Sequence, residues 1–235
     1  MLRSFGWQDI EALLRGALWT LALCAISGVL GTILGGVIGL AATSPSRIAR
    51  WVATALVTFV RGIPLLIIVF FAYFGIPLLF PDLSLSAFAT AVIALTVFAS
   101  AYLAEIFRGS INAVPRGQWE AADALGLGYV KKFRYVVLPQ AMRIVVPPAI
   151  GFLIALIKDS SLVTVIGFVE LTHAGTITSN LTANPILTYS VVAAFYFVIC
   201  YGVSRLGRWY EQRSPADKVA VDPEEKPSAL QLEGV

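Results

Sequence analysis

Charged side chains are scarce in this sequence. Asp, Glu, Lys and Arg make up 13% of the 235 residues, against about 25% in a typical soluble domain. Hydrophobic residues make up 58% of the chain, and the mean hydropathy is +0.82. This deficit of charge excludes an ordinary soluble domain and indicates that lipid is the main solvent of the folded chain.

Residues that bind metals or nucleotides are also few. Cys24 and Cys200 each lie inside an apolar run, and His173 is the single histidine. We therefore predict neither a disulfide nor a Cys/His metal site. The sequence lacks a G-x-x-x-x-G-K-[ST] phosphate loop, so we expect this chain to bind no cofactor and to hold no ATP in the usual way. The net charge of +3 is too small to suggest nucleic acid.

Long apolar runs dominate what remains. A helix needs about 20 apolar residues to cross a bilayer, and backbone groups in lipid are satisfied only within helices or closed barrels. The first run is too long for the core of a signal peptide, so we interpret it as a span. The prediction is an all-α polytopic membrane protein with five transmembrane helices, at residues 16–42, 51–80, 86–107, 147–167 and 185–204.

The basic residues predict the orientation of these helices, because Lys and Arg collect on the cytoplasmic side. Thirteen of them lie in the first loop, the loop at 108–143 and the C-terminal segment, whereas residues 168–184 contain none. We therefore expect an inner-membrane protein with a periplasmic N-terminus and a cytoplasmic C-terminus. Residues 1–15 would form a periplasmic amphipathic segment, residues 16–213 the transmembrane domain, and residues 214–235 a disordered cytoplasmic tail.

One polar, glycine-broken stretch stands within the cytoplasmic loop at 108–143. Residues 119–125 are rich in helix-forming residues, Gly126 and Gly128 favour a stop and a reversal, and residues 131–137 resume a helical pattern that we expect to end at Pro139. The prediction is a helical hairpin whose exposed tip is built from Ala121, Ala122 and Ala124.

The hairpin sequence resembles the EAA loop of ABC importer permeases. The residues that carry the resemblance are Glu120, Ala121, Ala122, Gly126, Leu138 and Pro139, with Val136 in place of the usual Ile. In that family the loop forms a coupling helix that docks on a separate ATP-hydrolysing subunit. The resemblance therefore implies that these six residues couple the chain to an ATPase.

Three other segments resemble the polar amino-acid subfamily of these permeases. Residues 61–66 (RGIPLL) are similar to its RGTPLL segment, residues 104–109 (AEIFRG) to AEIxRGG, with Ser110 replacing the second glycine, and residues 157–162 (IKDSSL) to IKDTSL. The resemblance implies import of histidine, glutamine, arginine, glutamate or a related amino acid. It also implies a second permease subunit (the same or a related chain), two ATPase subunits that use ATP and Mg²⁺, and a periplasmic binding protein.

Ionisable residues inside the predicted spans are candidates for the substrate pathway, because such residues are costly in lipid. An amino acid needs cations for its carboxylate, which Arg61 and Lys158 offer, and an acceptor for its ammonium group, which Asp159 or Glu105 offers. The alternative is that Arg61 pairs with Glu105, or Lys158 with Asp159, and that the pairs only hold the bundle in register.

Several uncharged residues carry paired interpretations. Ser160 and Ser161 either bind ligand or bond the preceding helical turn. Pro64 and Pro77 mark either a hinge in the pathway or a packed kink. Four glycines spaced along the first span favour close helix packing over a substrate path; they are Gly28, Gly31, Gly35 and Gly39.

The leading hypothesis is a permease subunit that moves a polar amino acid by alternating access, with the energy supplied by separate ATPases. An ion-driven secondary transporter or channel that acts alone is the main alternative, although the chain is short and shows no internal repeat. A membrane anchor without transport would leave the polar residues near the membrane midplane unexplained.

Overall fold

The computed structural model describes residues 4–82 and 85–213, and these residues form helices joined by short turns, as the predicted all-α fold requires. The α-helices are α1 (Trp7–Ala42), α2 (Arg47–Arg61), α3 (Leu65–Phe70), α4 (Ile76–Leu79), α5 (Ala87–Asn112), α6 (Arg116–Ala124), α7 (Tyr129–Lys132), α8 (Leu138–Asp159), α9 (Leu171–Thr182) and α10 (Pro185–Arg213). A π-helical turn joins α3 to α4, another joins α7 to α8, and a 3₁₀ segment, Ser160–Ile166, follows α8.

Within the described ranges, four helices are long and apolar enough to cross a membrane, or five if a bent pair counts as one span. The surface of these helices is unusually apolar for a folded protein: Val37 and Phe197, for example, are 63% and 68% exposed. A lipid environment explains this exposure, because apolar side chains meet no penalty there.

Gly31, Gly35 and Gly39 of α1 pack against α5, whereas Gly28 faces Leu153 of α8. A Cβ on Gly31 would lie 2.6 Å from the Cβ of Ala99, and one on Gly35 would lie 2.8 Å from the carbonyl oxygen of Ser100. A Cβ on Gly39 would lie 2.9 Å from the carbonyl oxygen of Ala104. The predicted packing role of this stripe is confirmed, and the close backbone approach makes α1 and α5 a tight scaffold.

The second predicted span, 51–80, is two helices rather than one. The segments Arg47–Arg61 and Leu65–Leu79 meet at a bend of 96°. Pro64 precedes the first residue of α3 with an extended backbone, and the residue before a proline is also pushed out of the helical region. Pro64 therefore marks a broken helix. Pro77, by contrast, lies in the first turn of α4, where its missing N–H is tolerated.

The helix that follows the hairpin is much longer than expected. The helical segment Tyr129–Ile166 runs through Pro139, where we expected a stop, and through Pro147, where we expected the fourth span to begin. The π-turn Phe133–Val137 stands just before Pro139 and resets the hydrogen-bond ladder, so the proline costs little there. A proline in a membrane helix is thus a weak sign of an end.

Two other boundaries differ from expectation. Residues 7–15 are not a separate amphipathic segment but the first turns of α1, and Leu13 is fully buried against α9 and α10. Residues 171–182, expected as loop, form α9. Their small polar composition hid the helix, which Glu170 caps. The expected disordered tail, 214–235, lies outside the described residues.

Candidate functional site

The hairpin of α6 and α7 ends in a glycine-dependent turn. Gly126 has φ of +71°, a region that other residues enter at a cost. Its N–H donates to the carbonyl of Asp123 at 2.9 Å, and the N–H of Leu127 donates to the carbonyl of Ala122 at 3.1 Å. These two bonds form a Schellman motif, which explains why the glycine stands four residues after Ala122.

Most of the motif residues are exposed, but Ala122 is not. Glu120, Ala121 and Gly126 are exposed, whereas the side chain of Ala122 is only 2% exposed. The predicted exposed tip of three alanines is therefore wrong at Ala122, which packs inward because α6 lies against the helix that follows α7. Pro139 is exposed and Leu138 is half-buried on that same helix.

Contacts fix the hairpin to the long helix. The ammonium group of Lys132 bonds the carboxylate of Asp123 at 2.5 Å and lies 5.8 Å from the ring of Trp119. Farther along, the Gln140 amide donates to the side-chain oxygen of Gln118 at 3.1 Å. A small apolar cluster beneath them contains Ile111, Val114, Val137 and Ala141. Because of these contacts, α6 and the start of α8 form one packed body.

A charged cluster lies where α2 ends. Glu105 of α5 accepts two bonds from the guanidinium group of Arg108, at 3.0 and 2.5 Å. A guanidinium nitrogen of Arg61 lies 3.9 Å from the same carboxylate, and the Arg61 group stands 5.1 Å from the centre of the Tyr102 ring. The predicted pairing of Arg61 with Glu105 is therefore present, but the same carboxylate also pairs with Arg108. One negative charge against two positive charges leaves the cluster with a net positive charge, and its side chains are about one third exposed.

The other predicted cation lies in a different place. Lys158 and Ser161 line a cavity of about 530 Å³ together with Thr172 of α9 and four α10 side chains, among them Tyr196. Lys158 is exposed, and within residues 4–82 and 85–213 no carboxylate forms an ion pair with it. Lys158 and Asp159 thus form no direct ion pair in the described structure, although their opposite charges still interact electrostatically.

The two serines differ. Ser160 is fully buried, and its hydroxyl donates to the carbonyl of Ile157 at 2.8 Å, so the bond to the preceding turn is the one present. Ser161 is half-buried and borders the cavity. Of the pathway candidates, the structure brings together Arg61 and Glu105 in one cluster, and Lys158 and Ser161 in another.

A buried carboxylate was missed by the sequence reasoning. Glu170 is fully buried and accepts the backbone N–H groups of Thr172 and His173, each at 2.8 Å. It also accepts the hydroxyl of Tyr196 at 3.1 Å and that of Thr164 at 3.3 Å. Burial raises the pKa of Glu170 above its ordinary value, and these bonds counter the rise only in part. A single acid in a stretch without Lys or Arg was the available signal.

Comparisons with known proteins agree with this architecture. Residues 31–214 match the family model for the inner membrane component of binding-protein-dependent transport systems. A probable amino-acid ABC transporter permease of Bacillus subtilis, YckA, is 38% identical over 210 residues, which cover 85% of this chain and 92% of that protein. The glutamine transport system permease GlnP of Escherichia coli K12 is also 38% identical, over 88% of this chain and 94% of its own.

Solved structures agree as well. A crystal structure of an amino acid ABC transporter with histidines superposes with a TM-score of 0.83 at 32% identity, and it covers 90% of this chain and 100% of its own. The methionine transporter MetNI in an inward-facing form shares the fold, with a TM-score of 0.77 over 88% of this chain and 98% of its own. Since the family model spans most of the chain, this protein belongs to the inner membrane components of binding-protein-dependent transport systems, the permease subunits of ABC importers.

Proposed function

We propose that this chain carries a polar amino acid across the inner membrane by alternating access, as one permease subunit of an importer powered by separate ATPases. The observation that carries the proposal is the match, over nearly the whole chain, to permeases named for amino-acid transport, combined with a hairpin of the EAA type. The likeness to a glutamine permease and to an L-cystine permease, TcyB, supports the substrate class rather than one amino acid.

The hairpin is the proposed contact with the ATPase. Its outer face carries Glu120, Ala121 and Gly126, while Ala122 is buried and Leu138 and Pro139 begin α8. A packed body of this kind transmits a push without collapsing, which a flexible loop does not. ATP and Mg²⁺ would be bound by two ATPase subunits and not by this chain.

The proposed pathway uses the two polar clusters. The Arg61, Glu105 and Arg108 cluster has a net positive charge, and the Lys158 cavity has a cation without a direct ion pair beside hydroxyl groups. Both attract a carboxylate. The break at Pro64 exposes backbone groups beside Arg61, and irregular backbone at membrane depth is tolerated only where it lines a cavity or is buried in protein. Asp159 and Ser160 stay candidates for positioning the Lys158 end of the helix.

Orientation and partners follow from the same scheme. The basic residues of the hairpin, such as Lys131 and Arg134, belong on the cytoplasmic side with the ATPases. The N-terminus would then be periplasmic and the C-terminus cytoplasmic. A second permease subunit, the same or a related chain, would complete the pathway, and a periplasmic amino-acid-binding protein would deliver the substrate.

The test is to change the turn of the hairpin. A β-branched residue at φ of +71° costs roughly 1–2 kcal/mol, so Gly126→Val should distort the turn while the membrane helices stay folded. We expect amino-acid uptake by the reconstituted importer to fall at least roughly tenfold, while ATP hydrolysis becomes independent of substrate.

Gly128 is the matched control, because it has φ of −62° and a Cβ there would meet nothing within 4 Å. Gly128→Val should keep uptake near the wild-type level, and Gly126→Asn, which tolerates positive φ, should restore much of it. Wild-type uptake and coupling in Gly126→Val would rule out the hairpin as the coupling element.

A further inference from the structure

Two hydroxyl groups of the Lys158 cavity, those of Thr172 and Tyr196, are not free to turn. Tyr196 donates its one hydroxyl proton to the carboxylate of Glu170, at 3.1 Å. The oxygen of Tyr196 lies 2.9 Å from the hydroxyl oxygen of Thr172. Since the proton of Tyr196 is committed, the proton between these two oxygens must come from Thr172. The hydrogen bonds therefore run in one direction, from Thr172 to Tyr196 to Glu170.

This direction of hydrogen bonding requires the Glu170 carboxylate to be ionised, and its surroundings fit an ionised carboxylate. Two backbone N–H groups and two hydroxyl groups point at its oxygens, and backbone N–H groups cannot reverse their role. An ionised carboxylate accepts four such bonds, whereas a protonated one would have to donate. No described Lys or Arg forms an ion pair with Glu170, so hydrogen bonds alone hold its charge.

The direction of these hydrogen bonds determines what the Thr172 and Tyr196 hydroxyl groups offer at the cavity wall. With both hydroxyl protons turned away, the oxygens of Thr172 and Tyr196 offer lone pairs to anything in the cavity. Lys158 borders the same space and offers a cation. One region therefore attracts an anion and the other attracts a hydrogen-bond donor, and the volume of about 530 Å³ lies within the usual range for small-molecule sites.

We infer that Glu170 is a positioning residue of the transport site, which orients the Tyr196 and Thr172 hydroxyl groups so that they accept the ammonium group of an amino acid whose carboxylate faces Lys158. The inference rests on the proposed function and adds to it a residue that does not line the cavity. Glu170 acts through Tyr196 and touches no substrate itself.

The test measures how strongly the assembled permease–ATPase complex, in lipid nanodiscs without the binding protein, prefers an amino acid to its ammonium-free counterpart. The probes are radiolabelled L-glutamine and, as competitor, the 2-hydroxy acid of the same skeleton. In the wild type we expect glutamine to bind at least roughly tenfold more tightly, because a charged donor meets two aligned acceptors. Glu170→Gln can donate to Tyr196 and reverse the chain of bonds, so the preference should fall to about equal affinity.

Two further variants separate positioning from simple support of the fold. Tyr196→Phe removes the same hydrogen bond without altering the cap of α9, and it should lose the preference to the same degree. The double variant should be no worse than either single one, since both break one chain of bonds. Thr164→Val is the matched control: it removes a hydroxyl bonded to the same carboxylate, at 3.3 Å, that does not border the cavity. It should keep the wild-type preference.

The outcomes are distinct. If the wild type imports glutamine but Tyr196→Phe keeps the full preference for the ammonium group, the inference is overturned and the proposed function stands. Additive losses in the double variant would likewise reject the positioning role. If the wild-type importer carries none of glutamine, arginine, glutamate and histidine with its binding protein present, the proposed function fails, and the inference fails with it.

Discussion

Two membrane helices of similar length have opposite surroundings in this protein. In the most apolar stretch of 18 residues, 61% of α5 is buried within the chain, whereas only 11% of α10 is buried. The glycines of α1 press on α5 at backbone distance, while α10 shares a cavity with α8 and α9 and leaves Phe197 and Tyr201 exposed. The comparison teaches that one half of the chain is a fixed scaffold and the other half a surface for ligand, lipid or a second subunit.

The largest expected effect tests the scaffold. Gly35→Val places side-chain atoms where a Cβ alone would lie 2.8 Å from a backbone oxygen of α5. Overpacking of this kind typically costs about 1–3 kcal/mol, and rigid backbone on the facing side raises the cost here. We expect the variant to accumulate poorly in membranes, as measured by immunoblot and by thermal unfolding in detergent.

Gly202 of α10 is the control for that change, because a Cβ there would meet nothing within 4 Å. Gly202→Val should accumulate like the wild type. If both variants accumulate equally poorly, or if both accumulate like the wild type, the contrast between the tightly packed α5 and the open α10 is contradicted.

The next effect concerns the open half. Lys158→Gln removes the cation of the cavity, and we expect amino-acid uptake to fall roughly tenfold with normal membrane levels, because a charge-assisted bond is lost. Arg205→Gln removes another exposed basic residue, on α10 itself, and should leave uptake unchanged. Uptake that is unaffected by Lys158→Gln would exclude Lys158 from the pathway. Arg61→Ala applies the same assay to the other cluster.

A smaller effect appears in the pH dependence of stability. Burial raises the pKa of Glu170 in the folded protein, so the folded state binds this proton more tightly than the unfolded state does. The resulting stabilisation is present below the ordinary glutamate pKa and is lost as pH rises through the raised pKa. The wild-type Tm should therefore drop by roughly a few degrees relative to Glu170→Gln between pH 5 and pH 8.

The groups that face Glu170 are the same in both proteins, so the difference isolates one carboxylate. They are His173 on α9, Tyr196 on α10 and Cys24 on α1. Parallel Tm curves across this range would contradict the raised pKa.

The smallest effect needs no mutation. Cys24 is 3% exposed and donates to the carbonyl of Leu156 in the tight half, whereas Cys200 borders the Lys158 cavity. A membrane-permeant maleimide should label Cys200 well before Cys24, because a buried structural thiol is inert. Mass spectrometry of the labelled peptides gives the order, and faster labelling of Cys24 would mean that the α1 side opens more readily.

The sequence predicted the apolar half of this picture better than the polar half. The spans were long enough to recognise, and the glycine stripe on α1 indicated packing that the Gly31, Gly35 and Gly39 contacts confirm. Proline misled the helix bounds, because Pro139 and Pro147 both lie inside one long helical segment, and a π-turn stands just before the first of them. Local composition does not reveal such compensation.

The candidate site was predictable only one residue at a time. The motifs singled out Arg61, Glu105 and Lys158, but no spacing rule shows that Glu105 serves two arginines while Lys158 lacks an ion-pair partner in the described chain. Glu170 was missed since its partners, Tyr196 and Thr164, lie 26 and 6 residues away and are joined by the fold alone. Ala122 was misjudged because the motif letters do not say which face of α6 turns inward.

The long helical segment from Tyr129 to Ile166 has a mechanical consequence. It begins within the hairpin and, near its far end, presents Lys158 to the cavity. At about 1.5 Å per residue, residues 129 and 158 are roughly 40 Å apart, so a tilt of about 10° about one end moves the other by roughly 7 Å. A tilt that small about the hairpin end would move the lysine by more than the width of an amino acid.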